Sequence, residues 1–391
     1  MIRFDDAYKQ MMAAAVPLDT EHVTMAESLG RVLAEDIHSD INMPPFNKSA
    51  MDGYAGRRAD LGHEWTVIDE VPAGTVSTKT VGENQCVKIM TGAPVPSGAD
   101  CVVMVEFTEV TPDGSIRFTG EATADNICLK AEDLKVGDRV LRRGELIQPA
   151  HIAVLAMVGC TTPLVTKRPR VGVIVTGSEL VAPSEKANGP CIRDSNSHQL
   201  CAQMAQVGAV AHYYGIVEDS KTTIDAVIAR AQQENDLIVL SGGVSMGDYD
   251  FVPELLRKNG FKFLFESVAM QPGRPTIFGQ AESCYCCGLP GNPVSTFVIF
   301  EILLKPFIYR LMGHAYNTRM IKACLGQAIR RRKPVRQSTV PVMFIEPGIV
   351  VPVDYHGSAH INSLCAAHGL LAIPTGVVQL EEGTDVLVRP I

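Results

Sequence analysis

Leu237-Ile238-Val239-Leu240-Ser241-Gly242-Gly243-Val244-Ser245 is the stretch on which the fold turns. Four consecutive apolar residues without polar alternation predict a strand covered on both faces, as in a parallel sheet flanked by helices. The paired glycines at its carboxyl end permit a tight turn and let a ligand come close to the backbone. Val171–Val175 has the same two-sided apolar character. A helix capped by Asp194 or Ser195 is expected after it, then a strand over Ala209–Val217. The next helix carries Ile224, Val227, Ile228 and Ala231 on one face. This alternation predicts a parallel or mostly parallel α/β sheet with its site at the carboxyl ends of the strands.

Outward from this unit the patterning changes. Phe4, Tyr8, Met11 and Met12 share a helical face near the N-terminus, and Leu29, Val32 and Leu33 suggest a second helical run. From Ile41 to about Gly137, short β-rich runs (Thr66–Val71, Cys86–Met90, Cys101–Val105, Ile116–Phe118) alternate with Gly and Pro turns, predicting a small β domain. After Gly313 the chain passes through the basic run Arg330-Arg331-Arg332-Lys333. It then becomes β-rich and is punctuated by Pro334, Pro341, Pro347 and Pro352. A small C-terminal β domain follows from that pattern, with the basic run as a solvated linker, a strand edge or an anion contact.

The 391 residues exceed one ordinary core and suggest two to four subdomains. Hydrophobic residues at 46% and charged ones at 20% describe a globular chain. A net charge of −8 argues against a general nucleic-acid binder. The longest apolar stretch, Phe297–Met312, is interrupted by Glu301, Lys305 and Pro306, which excludes a plain membrane span. The N-terminus has no apolar signal region, and the 11 scattered cysteines read as reduced thiols, so a cytoplasmic location is expected. Cys284, Cys286 and Cys287 cluster, but no second Cys or His pair has zinc-like spacing.

Two loops have the logic of a phosphate cradle. Gly242 and Gly243 follow a strand, and Asp248 or Asp250 then opens a helix with Pro253 in its first turn. Gly288-Leu289-Pro290-Gly291-Asn292-Pro293 leads into a long helix from Val294, with Asn292 as N-cap and Pro293 as first helical residue. Each loop also has a plain turn reading. Among the carboxylates, Asp52 before Gly53 has an Asx-turn reading. Glu179, in Thr176-Gly177-Ser178-Glu179-Leu180, is placed to hold a cation at a strand end. Asp219 and Asp250 could each simply cap a helix. Several acids beside glycine-rich loops suit Mg²⁺, which is commonly held by one or two carboxylates together with substrate phosphates.

Ordered blocks then identify a resemblance. Asn42–Ala55 (NMPPFNKSAMDGYA), Met90–Pro96, Val103–Glu106, Thr176–Leu180, Ser241–Asp250, Gln271–Pro275, Gly288–Ser295 and Gly357–Leu364 resemble the MoeA family and the gephyrin E domain. The resemblance covers nearly the whole chain. It implies a multidomain α/β fold with a MogA-like α/β sheet subdomain (1–19 and 169–317) and a linker subdomain (20–38 and 138–168). A β-rich subdomain (39–137) and a C-terminal β-barrel-like domain (318–391) complete it. It further implies a homodimer whose site lies between the α/β subdomain of one protomer and the β parts of the other. The implied activity takes adenylylated molybdopterin and molybdate, cleaves the adenylate with Mg²⁺ and releases AMP and molybdenum cofactor.

By motif match the resemblance implies Asp52, Thr91, Glu179, Asp219 and Asp250 as catalytic, with Asp52, Glu179 and Asp250 on the metal. Gly242, Gly243, Ser245, Gln271, Arg274, Pro290, Gly291, Asn292 and Ser358 would bind the pterin and the anions. Implied partners are a molybdopterin adenylyltransferase and molybdoenzyme maturation proteins. Gln271 stands where many relatives have lysine, and Ser267 supplies no second one. Cys128 and Pro341 replace arginines, with Arg336 nearest to substitute for the latter. His368, where the family has asparagine, reads as packing or surface. Two other readings remain: a fold-retaining scaffold with weak activity, favoured by the missing lysines, and an ATP-consuming adenylyltransferase, opposed by the extra domains.

Overall fold

The apolar runs at Val171 and Leu237 lie side by side as parallel strands of a six-stranded sheet in this computed structural model, which describes residues 1–244 and 251–391. Its strands are β1 (Arg170–Thr176), β2 (Val210–Val217), β3 (Leu237–Ser241), β4 (Lys262–Phe265), β5 (Ile277–Gln280) and β6 (Tyr285–Leu289), in spatial order β2-β1-β3-β6-β5-β4. The first four in that order are parallel, and β5 alone runs antiparallel, between β6 and β4. The mostly parallel sheet expected from the sequence is therefore present. The chain goes from β1 outward to β2 and returns on the other side as β3, which opens a crevice at the carboxyl ends of β1 and β3.

Helices cover both faces, as the continuous apolar strands require. Val171, Val173, Leu237 and Val239 face one core with Met11 of α1 (Phe4–Ala14) and Leu200 and Met204 of α2 (Asn196–Gln206). Ile174, Ile238 and Leu240 face the other core, with Ile224, Ile228 and Ala231 of α3 (Lys221–Glu234) and Val252, Leu255 and Leu256 of α4 (Val252–Lys258). Alternate strand residues thus divide between two interiors, which explains the absence of polar alternation. Cys286 and Cys287 also point to opposite faces and are fully buried. Burial pushes both thiols up, and on opposite faces of the strand they cannot share one ion.

Two helical expectations need correction. Leu29, Val32 and Leu33 do not form a helix. A 3₁₀ turn at Met25–Ser28 ends at Gly30 with φ of 74°, and Val32 and Leu33 then form bridges to Leu146 and Val165. Backbone partners distant in sequence override a local pattern too short to nucleate. The helix after Asn292 is not continuous: α5 (Pro293–Ile299) passes through a π-turn at Phe300–Leu304 into α6 (Lys305–Leu311). Pro306 cannot donate to the carbonyl four residues back, and the ladder loosens there.

The chain from 321 closes into a five-stranded barrel. Strands run in the order 337–346, 349–352, 321–325, 385–390 and 369–373, and the last pairs again with the first. This is the expected barrel-like C-terminal domain. These parts together form one compact unit, Met1–Glu35, Arg143–Pro149 and Thr162–Ile391. A second unit, Asp36–Arg142 with Ala150–Thr161, contains the β-rich excursion. Its six-stranded sheet has the order 101–104, 53–56, 85–89, 64–71, 116–118, 108–110, built around Trp65, Val87 and Val102. Among the described residues no helix is long and apolar enough to cross a membrane.

Candidate functional site

The crevice at the ends of β1 and β3 is a cleft with a volume of about 760 Å³. Its walls include Thr176, Gly177 and Glu179 after β1, Arg193–Asn196 before and at the start of α2, Asp219 after β2, and Gly242–Gly243 after β3. Pro290–Pro293 before α5 and Ala359 and Ile361 from the C-terminal domain complete it. The fold thus brings together Glu179, Asp219, Gly242, Gly243, Pro290, Gly291 and Asn292, residues 113 positions apart at their extremes, where the ends of parallel strands diverge.

Close backbone approach explains Gly242. It has φ of 97°, and a Cβ there would lie 2.4 Å from the Thr176 carbonyl oxygen. Without a side chain, the end of β3 packs directly on the end of β1. Asn196 locks the same floor: its Nδ2 donates to Ser241 Oγ at 2.8 Å and to the Gly291 carbonyl at 2.7 Å. Because a carbonyl only accepts, the amide orientation is fixed.

The helix-cap readings sort differently from expectation. Ser220, not Asp219, caps α3, its hydroxyl accepting from the Thr223 N–H. Asp219 Oδ2 instead accepts the Ser178 N–H at 2.9 Å, so Asp219 and Glu179 flank one peptide at the cleft edge. At α2, Ser195 occupies the cap position without a side-chain bond, while buried Asp194 accepts from Ser197 N–H at 3.1 Å and from Tyr213 OH at 2.9 Å. Asn292 and Pro293 open α5 as expected, though the Asn292 side chain makes no cap bond and is left facing the cleft. Asp250 and Ser245 lie outside the described residues, as does Asp248.

In the second unit, Asp52 and Thr91 meet. Gly53 pairs with Ile89 in antiparallel register, so the residue before one strand lies beside the residues following the other. Asp52 Oδ1 accepts the Thr91 N–H at 2.6 Å and its hydroxyl at 2.7 Å. These donors hold the Asp52 carboxyl below the usual carboxylate range. The Asx-turn reading of Asp52 is thereby replaced. Ser49 makes the local turn, its Oγ accepting the Met51 N–H and donating to the Met51 carbonyl.

The anion contacts are more dispersed. Gln271 is exposed in a short strand paired with residues 337–338, and Arg274 is exposed beyond it; neither lines the cleft. Arg336 reaches the Met270 carbonyl at 3.4 Å, beside Gln271. Ser358 belongs with the cleft of its own chain: its carbonyl accepts the Val294 N–H at 3.0 Å. Of the basic run, Arg331 is structural, its guanidinium donating to the carbonyls of Pro374, Val377 and Arg336. Cys128 is half-buried, and its thiol is pushed up by burial and the nearby Glu132. His368 accepts the Phe344 N–H at 3.0 Å and stacks on that ring, which is surface packing. Arg193 and Asn196 are among the lining residues the motif reading missed; the Arg193-Asp194-Ser195-Asn196 run at a helix start was the available signal.

Fold and cleft together define a multidomain α/β protein with a ligand cleft at a topological switch point. Comparison with known proteins supplies the family. Residues 2–159 match the MoeA N-terminal region (domain I and II), residues 172–310 the probable molybdopterin binding domain, and residues 325–391 the MoeA C-terminal region (domain IV). A molybdopterin molybdenumtransferase of Staphylococcus epidermidis is 36% identical over 396 residues, covering 98% of this chain and 94% of its own. One from Bacillus subtilis is 34% identical over 401 residues, covering 99% and 93%. The crystal structure of the molybdopterin biosynthesis moeA protein from Pyrococcus horikoshii OT3 matches over the full length of both chains, with a TM-score of 0.87 and 30% identity. The chain belongs to the MoeA family.

Proposed function

We propose that the protein is a molybdopterin molybdenumtransferase, which takes adenylylated molybdopterin and molybdate and releases AMP and molybdenum cofactor. The observation that carries this reading is the cleft in which Glu179 and Asp219 flank one peptide beside the bare backbone of Gly242 and Gly243. Carboxylates facing a phosphate-accessible backbone suit a substrate whose scissile bond is a phosphoanhydride. The glycines let phosphates come close, and the N-terminus of α2, which faces the same space, would orient them.

The donor chemistry fits Mg²⁺. Among the described residues no three His, Cys, Asp or Glu side chains form a complete cage, but a hard cation shared with substrate phosphates needs only one or two carboxylates. Glu179 and Asp250 would hold it from the α/β side, with Asp219 fixing the Ser178 peptide and Asp52 contributing from the β-rich part. When bound, Mg²⁺ polarises the phosphoanhydride. The dithiolene sulfurs of the substrate replace molybdate oxygens, so no protein nucleophile is required. Ser245, Pro290, Gly291, Asn292 and Ser358 would contact the pterin and phosphates. Gln271, Arg274 and Arg336 would meet molybdate.

In this reading the chain keeps four subdomains and works as a cytoplasmic homodimer. Asp52 and Thr91 of one protomer would complete the α/β cleft of the other. An adenylyltransferase would supply the pterin, and molybdoenzyme maturation proteins would accept the product. The exposed Gln271, in place of lysine, favours the scaffold as second reading. Purified protein given adenylylated molybdopterin, Mg²⁺ and molybdate should release AMP and form cofactor. Binding of the pterin without AMP release supports the scaffold, and a requirement for ATP supports the adenylyltransferase.

A further inference from the structure

Beyond Glu179 the chain forms a flap over the cleft wall. Leu180–Val181 pairs in parallel with Ile192–Arg193, and residues 182–191 connect them. The Ile192 N–H donates to the Glu179 carbonyl at 2.8 Å, and the Asp194 N–H to the Val181 carbonyl at 3.0 Å. These bonds hold Arg193 in the wall, one strand away from Glu179. Its Nε donates to the Glu185 carbonyl at 2.8 Å, which tethers the guanidinium to its own loop. Nη1 and Nη2 have no protein partner among the described residues.

Charge gives that arrangement its meaning. Arg193 is the one cation among the described residues lining the cleft, against Glu179, Asp194 and Asp219. Asp194 does not answer it, because that buried carboxylate accepts from Ser197 and Tyr213. Asp219 is taken up by the Ser178 N–H. A phosphoanhydride would bring further negative charge into a space already holding three carboxylates, and one shared Mg²⁺ offsets only part of it. The tether uses one of the five guanidinium donors and leaves the outer fork open. Such a fork matches two oxygens of one phosphate, and a side chain already tethered loses less freedom on binding.

We propose that Arg193 binds the phosphate of the adenylate half of the substrate through Nη1 and Nη2. This rests on the transferase reading and adds to it the side chain that meets the nucleotide. The same contact is available to the bound substrate and to AMP after release. Arg193 therefore contributes to binding more than to the chemical step, and its loss falls on KM rather than kcat. Molybdate is met elsewhere, since Gln271 and Arg274 lie outside the cleft wall.

Calorimetric titration of the full-length protein with AMP, and separately with molybdate, tests this without any need for turnover. Arg193→Gln should weaken AMP binding about tenfold at low salt and leave molybdate binding unchanged. Added salt should weaken AMP binding in the wild type more than in Arg193→Gln. Arg193→Lys keeps the charge without the tether or the fork; it should fall between the two and retain the salt dependence. With adenylylated molybdopterin, Arg193→Gln should raise KM about tenfold and keep kcat within about twofold. A wild type that does not bind AMP, or an Arg193→Gln variant that binds it undiminished, overturns the proposal. So does a loss confined to molybdate, or a weakened Arg193→Gln with the wild-type salt dependence, which would reduce Arg193 to a flap anchor. A wild type that binds AMP through Arg193 yet releases none from the substrate keeps this site and rejects the transferase reading instead.

Discussion

Asp52 shows how one side chain separates a local from a long-range role. Its carboxylate accepts two hydrogen bonds from Thr91, 39 positions away, while Ser49 makes the turn. The folded pKa is depressed, so this contact adds stability above the unfolded value and loses it as pH falls through the folded one. Thr91→Val removes one donor, and the Asp52 titration followed by carbon-detected NMR should move up toward the ordinary range. Asp52→Ala should lower Mg²⁺-dependent AMP release on the order of a hundredfold, the loss of about 3 kcal/mol of charge stabilisation, with an unaltered fold and only slightly earlier melting. Earlier melting with undiminished turnover would return Asp52 to a structural role. Gln271→Lys belongs to the same scale. Since Gln271 is exposed, an ammonium there gains at most about 1 kcal/mol, roughly fivefold in molybdate affinity, and should lose it as salt rises. Equal affinities at low salt would remove Gln271 from the anion site.

Among the elements, the junction of β1 and β3 is the most constrained. Gly242→Ala adds a methyl group 2.4 Å from the Thr176 carbonyl at a positive φ. A cost of about 2–4 kcal/mol is expected from conformation and displacement together, read as a lower urea midpoint, with turnover lost further than stability. The π-turn offers a second test. Glu301 and Lys305 pair at 2.9 Å inside the core, and Gln203 Nε2 donates to Glu301 at 3.1 Å from α2. Glu301→Ala strands a buried ammonium and should destabilise by about 3–5 kcal/mol. Retained stability would mean that Lys305 escapes to water.

For the whole molecule, the proposed shared site makes a specific demand. An Asp52→Ala chain and an Asp219→Ala chain, each inactive alone, should recover activity in verified heterodimers, because one composite site keeps both acids. The expected ceiling is about half the wild-type rate, one intact site of two. Heterodimers as inactive as their parents would place all the acids in a single chain. Ser358 is unsuitable for this cross, since its carbonyl bonds Val294 in its own chain.

Residue order alone determined the features governed by short-range physics. The two-sided apolar runs at Val171 and Leu237 are buried parallel strands, Ile224 to Ala231 line a helix, and Asn292-Pro293 opens one. Each is an effect of covalent geometry and local burial, visible within about a dozen residues. Motif order also brought out Glu179, Asp219 and the glycines. Tertiary structure decided what depends on partners far apart in the chain. Val32 and Leu33 became bridge residues because Gly144, Glu145 and Thr166 supply their hydrogen bonds. Asp219 accepts the Ser178 N–H instead of capping a helix, and Arg193 and Asn196 entered the cleft. A polar side chain can satisfy its hydrogen bonds in several ways of similar free energy, and only the surrounding fold selects among them.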